Sequence, residues 1–218
     1  MVWCCGARRE PSGSRSKARA GRILQRRRIV LLVAVVIALL GAVLVLLRMA
    51  RFPPDTTPAG AYMRIAYSIG RGKPQECFAY LEQDAQDASY TILDYANKAR
   101  ARIAESYPEP DRSRALAPYA FAEHVADPPA LWAVLATERG WVGRLRGDLS
   151  GIAHVEVAGE RATVVTARGT RYPFRRRPNG MWGLTVFTAD LVSEAERMSR
   201  DWDRIEQAAK DYERGKGP

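Results

Sequence analysis

Cysteine and histidine are the scarce residues of this chain. Three cysteines occur among 218 residues, and only Cys77 lies in the C-terminal part, so no disulfide can form there even in an oxidising compartment. Cys77 sits in the apolar stretch Cys77-Phe78-Ala79-Tyr80-Leu81 and reads as a small core residue. Cys4 and Cys5 are far in sequence from any apolar run and no lipobox-type segment precedes them, which argues against acylation. The only histidines are His124 and His154. There is no His-Glu-x-x-His, no Cys-x-x-Cys, no Gly-x-Ser-x-Gly, no phosphate-binding loop and no strand followed by Gly-x-Gly-x-x-Gly. Metal catalysis would rest on carboxylates alone, and no aspartate cluster has the spacing of a calcium loop. These absences predict a chain that is not an enzyme, with no catalytic residue, no metal and no cofactor.

What the sequence does have is one long apolar run. Ile29–Leu47 carries no charge and no strongly polar group. As a helix, about 19 residues span roughly 28 Å, close to the hydrocarbon thickness of a bilayer. In lipid the backbone must satisfy its own hydrogen bonds, so such a run has to be helical. A core helix of this length would show a polar face. A cleaved signal peptide has a shorter apolar region, about 7–15 residues, before a small-residue cleavage site. Here Arg48-Met49-Ala50-Arg51-Phe52-Pro53-Pro54 follows instead. The run therefore predicts an uncleaved single-pass anchor in the plasma (inner) membrane.

Orientation follows from the flanks. Residues 1–28 hold nine basic residues and one acid, Glu10, whereas the other flank has only Arg48 and Arg51 nearby. The positive-inside rule puts the N-terminus in the cytoplasm and the C-terminal domain outside it. The formal net charge of +10 is located here as well. Removing those eleven basic residues and one acid from totals of 34 and 24 leaves 23 of each in residues 52–218. A domain without a global basic field is not a nucleic-acid binder, and the high pI reports topology plus attraction to anionic headgroups.

The segmentation that follows is a basic cytoplasmic tail (1–28, disordered by composition), the transmembrane helix (29–47), a proline-stiffened linker (48–57), a domain (58–214) and a short tail (215–218). The first half of the domain reads helical. Thr57 caps a helix with Pro58 at its first position, and Tyr62, Ile65, Ala66 and Ile69 share a face. Gly70–Pro74 breaks it, and Pro74 opens a short helix burying Cys77, Phe78 and Leu81. A third helix is predicted from about Ala88 to Ser106, with Ile92, Tyr95, Ala96, Ala99 and Ile103 as its stripe. Leu116–Glu123 and Ala130–Thr137 are two shorter candidates on either side of Pro128-Pro129.

At Gly151 the apolar period changes from 3.6 to 2. Ile152–Val157 and Ala162–Ala167 flank one turn, and Thr170–Arg176 and Met181–Phe187 flank a second, Arg177-Pro178-Asn179-Gly180, with an Asn-Gly turn. Tyr172 and Phe174 alternate with Arg171, Pro173 and Arg175; Trp182, Leu184 and Val186 alternate with Gly183 and Thr185. Two antiparallel hairpins with one apolar face each are the expectation. A last helix runs from about Asp190 to Arg214. Leu191, Ala195, Met198, Trp202, Ile205, Ala209 and Tyr212 recur at alternating steps of four and three, a narrow heptad seam. Its stripe predicts docking on the domain's own sheet or helices through Met198, Trp202 and Ile205, with the end beyond about Ala209 projecting and fraying. The fold class expected is α+β: helices packed on a curved antiparallel sheet of about four strands, then a long C-terminal helix.

The stretch Gly159-Glu160-Arg161-Ala162-Thr163-Val164-Val165, the strand with Tyr172 and Phe174, and Pro178-Asn179-Gly180-Met181-Trp182-Gly183-Leu184-Thr185-Val186 resemble the C-terminal hairpins of the NTF2-like (cystatin-like α+β) superfamily. The opening Ala61-Tyr62, Gly72-Lys73 and Cys77–Leu81 are similar to that superfamily's first helices. For the enzymes of that superfamily the resemblance implies a cone-shaped cavity. Its membrane-anchored members are often accessory or assembly domains, and its enzymes place Asp, His or Tyr in an interior cavity. His154, between Ala153 and Val155 on a strand, is then the best local general-base candidate, although a lone strand histidine more often lies on the surface; His124, beside Glu123, is weaker.

Arg171, Arg175, Arg176 and Arg177 are the dense basic patch of the domain, either a solvated strand face or a site for an anionic lipid headgroup, cell-wall polymer or acidic protein. Leu191, Met198, Trp202 and Ile205 form the candidate docking seam through which the C-terminal helix meets the domain or a protein partner. The function expected is a membrane-tethered, non-catalytic interaction or accessory module, with the membrane held through Ile29–Leu47. The alternative is a cavity-containing NTF2-like domain that binds or transforms a small molecule. A deep pocket holding His154 and a carboxylate would mark that alternative. Because the apolar run exceeds a signal-peptide core, mass spectrometry of the mature protein is expected to recover peptides from before Arg28; a mature N-terminus near Ala50 would overturn the anchor.

Overall fold

The computed structural model describes residues 32–45 and 53–215. The chain divides into two compact units, Met1–Arg51 and Phe52–Pro218. In the first, residues 32–45 form a helix, α1, whose apolar side chains are exposed all round; Leu32, Leu40 and Leu44 keep 65, 58 and 63% of their surface. The predicted span Ile29–Leu47 runs at both ends past the described residues, and among the described residues no helix is long and apolar enough to cross a membrane. The basic tail and residues 216–218 also lie outside the described residues, as does all of the linker before Pro53.

The second unit is α+β. Its first helix, α2 (Pro58–Gly70), starts where the sequence places it: the Thr57 hydroxyl accepts from the Gly60 amide at 3.1 Å, with proline in the first turn. Tyr62, Ile65 and Ile69 are buried along one side. A 3₁₀ turn, Pro74–Tyr80, follows and buries Cys77 and Phe78. Helix α3 then runs Gln83–Ser106, five residues earlier than the periodicity suggests. No side chain caps its start. The start is set instead by a tertiary bond, the Glu82 amide donating to the Leu184 carbonyl at 3.1 Å, which no local motif announces.

Helix α4 (Asp111–Leu116), a second 3₁₀ turn (Ala117–Glu123), α5 (Pro128–Glu138, capped by Asp127) and α6 (Trp141–Asp148) complete the helical half. Pro128-Pro129 opens α5, as first-turn prolines do. The sequence pattern does not announce helix α6: Gly143 and Gly147 dilute it, and only Trp141 and Leu145 are buried in it. Trp132, Trp141 and Phe187 meet in one aromatic cluster with ring centroids 4.7–5.6 Å apart, and the Trp132 indole N–H donates to the Pro74 carbonyl.

The sheet is a four-stranded antiparallel meander in the order β1-β2-β3-β4, formed by β1 (Ile152–Ala158), β2 (Arg161–Thr166), β3 (Arg171–Arg176) and β4 (Trp182–Leu184). Gly159, at φ +59, begins the two-residue loop that joins Ala158 to Arg161. The second hairpin differs from a simple Asn-Gly turn. Asn179 keeps a negative φ and only Gly180 is left-handed, with its amide bonded to the Arg177 carbonyl and the Arg177 amide bonded to the Met181 carbonyl. That is a three-residue loop, with Pro178 fixing its first corner. Ala162, Val164, Tyr172, Phe174, Trp182 and Leu184 are buried on the face that α2 covers. Val186 is the exception to the predicted alternation, being 44% exposed. The strand ends at Leu184, the Thr188 amide turns back to the Thr185 carbonyl, and Phe187 goes inside in its place.

Helix α7 (Thr188–Gly215) packs along α3 in the same direction. Thr188 at its start bonds Glu82 before α3, while Glu206 and Glu213 near its end meet Arg102 near the end of α3. Leu191, Met198 and Ile205 are buried and Trp202 is half-buried, docked against helices rather than on the sheet. The predicted fraying of the end is wrong. Tyr212 packs against Tyr107 with the rings tilted and their centroids 4.9 Å apart and donates to Asp111 at 2.9 Å, and Glu213 holds both Arg102 and Ser106. A heptad pattern cannot show polar clamps made by residues a hundred positions away. In thermal unfolding, Trp202→Ala is expected to cost about 2 kcal/mol, below the 3–5 typical of a fully buried tryptophan. Tyr212→Phe, which removes only the bond to Asp111, is expected to cost about 1 kcal/mol. An unchanged midpoint in both variants would refute the docking of α7.

Candidate functional site

The alternation along β3 sends Tyr172 and Phe174 into the core and Arg171, Pro173 and Arg175 to the open sheet face. The four arginines of the patch are therefore divided. Arg171 lies toward one end of the strand, paired with Glu156 of β1. Arg175, Arg176 and Arg177 lie at the other end, where the meander passes the start of α3. Arg175 bonds the Glu82 carboxylate at 3.0 Å and lies 3.8 Å from Asp84. Arg176 reaches Glu160 loosely at 3.8 Å. Arg177 folds inward and donates to the Ala79 carbonyl at 2.8 Å and to the Gln86 side-chain oxygen at 3.1 Å. Its Nε is buried without a partner, and burial lowers its pKa against a smaller opposing pull from Asp87.

Glu82 anchors this corner, and the sequence reading missed it. It is 6% exposed. One carboxylate oxygen accepts from Arg175, and the other accepts from the Thr188 hydroxyl at 2.7 Å. Its backbone is pressed against Gly183, where a Cβ would come within 2.6 Å of the Glu82 Cα. The available sequence signal was the glycine itself in a short strand, which marks close backbone approach. Two clefts flank Arg175. One of about 420 Å³ is lined by Asp84, Glu160, Arg176 and Arg177 among others, and one of about 320 Å³ by Arg161, Thr163, Pro173 and Thr185 among others. Both mix charges of either sign. The arginines that the sequence groups as an anion site are thus engaged with this chain's own carboxylates and carbonyls.

At the other side of the open face, His154 lies 3.2 Å from Glu156, and Arg171 holds the same carboxylate. Arg171 first, then His154, holds the Glu156 carboxyl below the usual carboxylate range. His154 and Glu156 are 57 and 48% exposed, on an open sheet face rather than in a cavity. His124 is exposed at the end of its 3₁₀ turn. Cys77 is buried, and desolvation with the nearby Glu76 pushes its thiol up to about 12, so it is an inert core group. The Tyr172 hydroxyl, on the covered sheet face, is buried with no hydrogen-bond partner, and desolvation raises its pKa to about 12.

Of the seam, Leu191, Met198 and Ile205 are covered within the domain. Beside it, α3 and α7 leave a shallow groove of about 410 Å³ along Ala88, Tyr95, Val192 and Ala195. Among the described residues no three of His, Cys, Asp and Glu converge as metal ligands. No family model matches the chain, and no curated protein and no solved structure shows a significant match to it.

The corner's role is separable from that of the surface arginines. Glu82→Ala leaves the Thr188 hydroxyl and Arg175 without their acceptor and is expected to cost about 2–3 kcal/mol in denaturant unfolding. Arg176→Ala, at an exposed and loose ion pair, is expected to change stability by less than about 0.5 kcal/mol. Equal effects from the two substitutions would contradict the assignment of Glu82.

Proposed function

We propose that this chain is a membrane-tethered, non-catalytic interaction module, single-pass, with its N-terminus cytoplasmic and its α+β domain extracytoplasmic at the plasma (inner) membrane. The observation that carries the reading is α1: residues 32–45 present apolar side chains on every side and bury none of them. A helix apolar all round has no stable solvated state in water and is at home in hydrocarbon. The uneven basic flanks supply the orientation.

The domain is proposed to follow the NTF2-like plan. Support comes from the order of its elements, helices first and then an antiparallel meander with a helix across one face. The parallel α3–α7 pair extends that plan. For the interaction role, the support is that the polar groups at the Glu82 corner are occupied in holding the fold: Glu82 with Arg175 and Thr188, Arg177 with Ala79 and Gln86. With its seam turned to α3, the surface α7 offers a protein partner is its charged side, where Arg197, Arg200 and Arg204 pair with Glu194, Glu196 and Asp201. One observation favours the second reading, a small-molecule-binding or enzymatic NTF2-like interior. The Tyr172 hydroxyl is a buried donor that lacks a partner.

Protease added to right-side-out vesicles is expected to digest the chain beyond about Phe52 and to leave the tail protected. Complete protection of the domain would reverse the orientation, and release of the intact chain by alkaline carbonate would remove the tether altogether. Tyr172→Phe tests the second reading: with an unoccupied interior it is expected to be neutral or mildly stabilising, because an unsatisfied polar atom is removed.

A further inference from the structure

The two edges of the sheet are not alike. Beyond β4 the chain is already there: Leu81 bridges Leu184 in parallel, and the Glu82 amide donates to the Leu184 carbonyl. Strand β1 has β2 on one side and, among the described residues, no backbone partner on the other. In a two-residue hairpin the residues next to the loop exchange both hydrogen bonds, and the pattern then alternates. Ala158 and Glu156 therefore aim their backbone groups at β2, while Val157 and Val155 aim theirs outward. Apart from its one shift at Ala153, β1 is regular, and it contains neither proline nor lysine to blunt the edge. His154, Glu156 and Val157 are all exposed, Val157 by 60%.

The sequence of this edge is complementary to itself. An antiparallel copy centred on Val155 sets Val155 opposite Val155 and makes that the hydrogen-bonded pair. It sets each His154 opposite the other copy's Glu156 in the closer, non-hydrogen-bonded positions, twice over, and brings Val157 beside Ala153. All four polar side chains fall on the open face, about half exposed, with each Glu156 also held by Arg171 of its own chain. We propose that the β1 edge is a self-association surface, joining two copies of this chain through β1 into one eight-stranded antiparallel sheet. The inference stands on the edge alone and does not depend on the membrane tether. The shift at Ala153 ends the regular ladder, so the joint is short and reversible.

Sedimentation equilibrium of the full chain in detergent tests it. The wild-type chain is expected to show a monomer–dimer equilibrium. His154→Glu, which puts like charges opposite each other in both outer pairs, is expected to weaken association about tenfold or more. Adding Glu156→His to that variant exchanges the two partners and is expected to restore association. Val157→Pro removes one outward amide without touching a bond to β2 and is likewise expected to weaken the dimer. Thermal unfolding of each variant checks that the fold is kept. A wild-type chain that stays monomeric, a dimer indifferent to His154→Glu and Val157→Pro, or a double variant that fails to recover would each overturn the proposal.

Discussion

A carboxylate taken out of water must be matched by donors, and the domain is arranged around one such match. Glu82, 6% exposed, sits where the 3₁₀ turn before α3, strands β3 and β4 and the first turn of α7 converge. Its side chain accepts from Arg175 and Thr188 while its amide closes the outer edge of β4. The ion pair with half-exposed Arg175 adds little by Coulomb attraction alone. Its importance lies in the cost of leaving Glu82 unmatched, which fixes how the helical half meets the sheet. Gly183 belongs to the same constraint, since any side chain there would collide with the Glu82 backbone.

From that corner α3 and α7 run side by side, and a second polar cluster closes their far end. Arg102 is shared between Glu206 and Glu213, and Ser106 joins them through Glu213. Between the two clusters the contact is apolar and narrow, with Leu191, Met198 and Ile205 on one helix and Ile92, Ala96 and Ala99 on the other buried within one core. The small residues on α3 let the helices approach closely, and the polar ends set the register. Parallel neighbours in one chain need a long connection. Here the whole sheet and the helices α4 to α6 supply it.

This arrangement leaves the sheet asymmetric in both senses. One face is covered by α2 and filled with aromatic side chains; the other is open and carries paired charges. One edge is closed by Leu81–Glu82; the other is β1. The two asymmetries place His154 and Glu156 on an open face beside an open edge.

What the sequence determined by itself is whatever depends on neighbours along the chain. The Thr57-Pro58 helix start, the β1–β2 hairpin at Gly159, the inward Tyr172 and Phe174, and the buried stripe of Leu191, Met198 and Ile205 all follow from caps, turn residues and periodicity. Those are short-range rules, and they are legible wherever a segment's own pattern is strong. The α3 start at Gln83, the exposure of Val186, the anchoring of Tyr212 and Glu213 and the division of the four arginines were not legible. Four arginines close together in sequence look like one positive patch. Strand alternation and the approach of Glu82, Glu156 and Glu160 turn three of them into separate pairs, while Arg177 bonds Ala79 and Gln86. Apart from the local turn that exposes Val186, the partners that settle these features lie from 15 to 111 residues away, and only the folded chain brings a distant carboxylate within hydrogen-bonding reach.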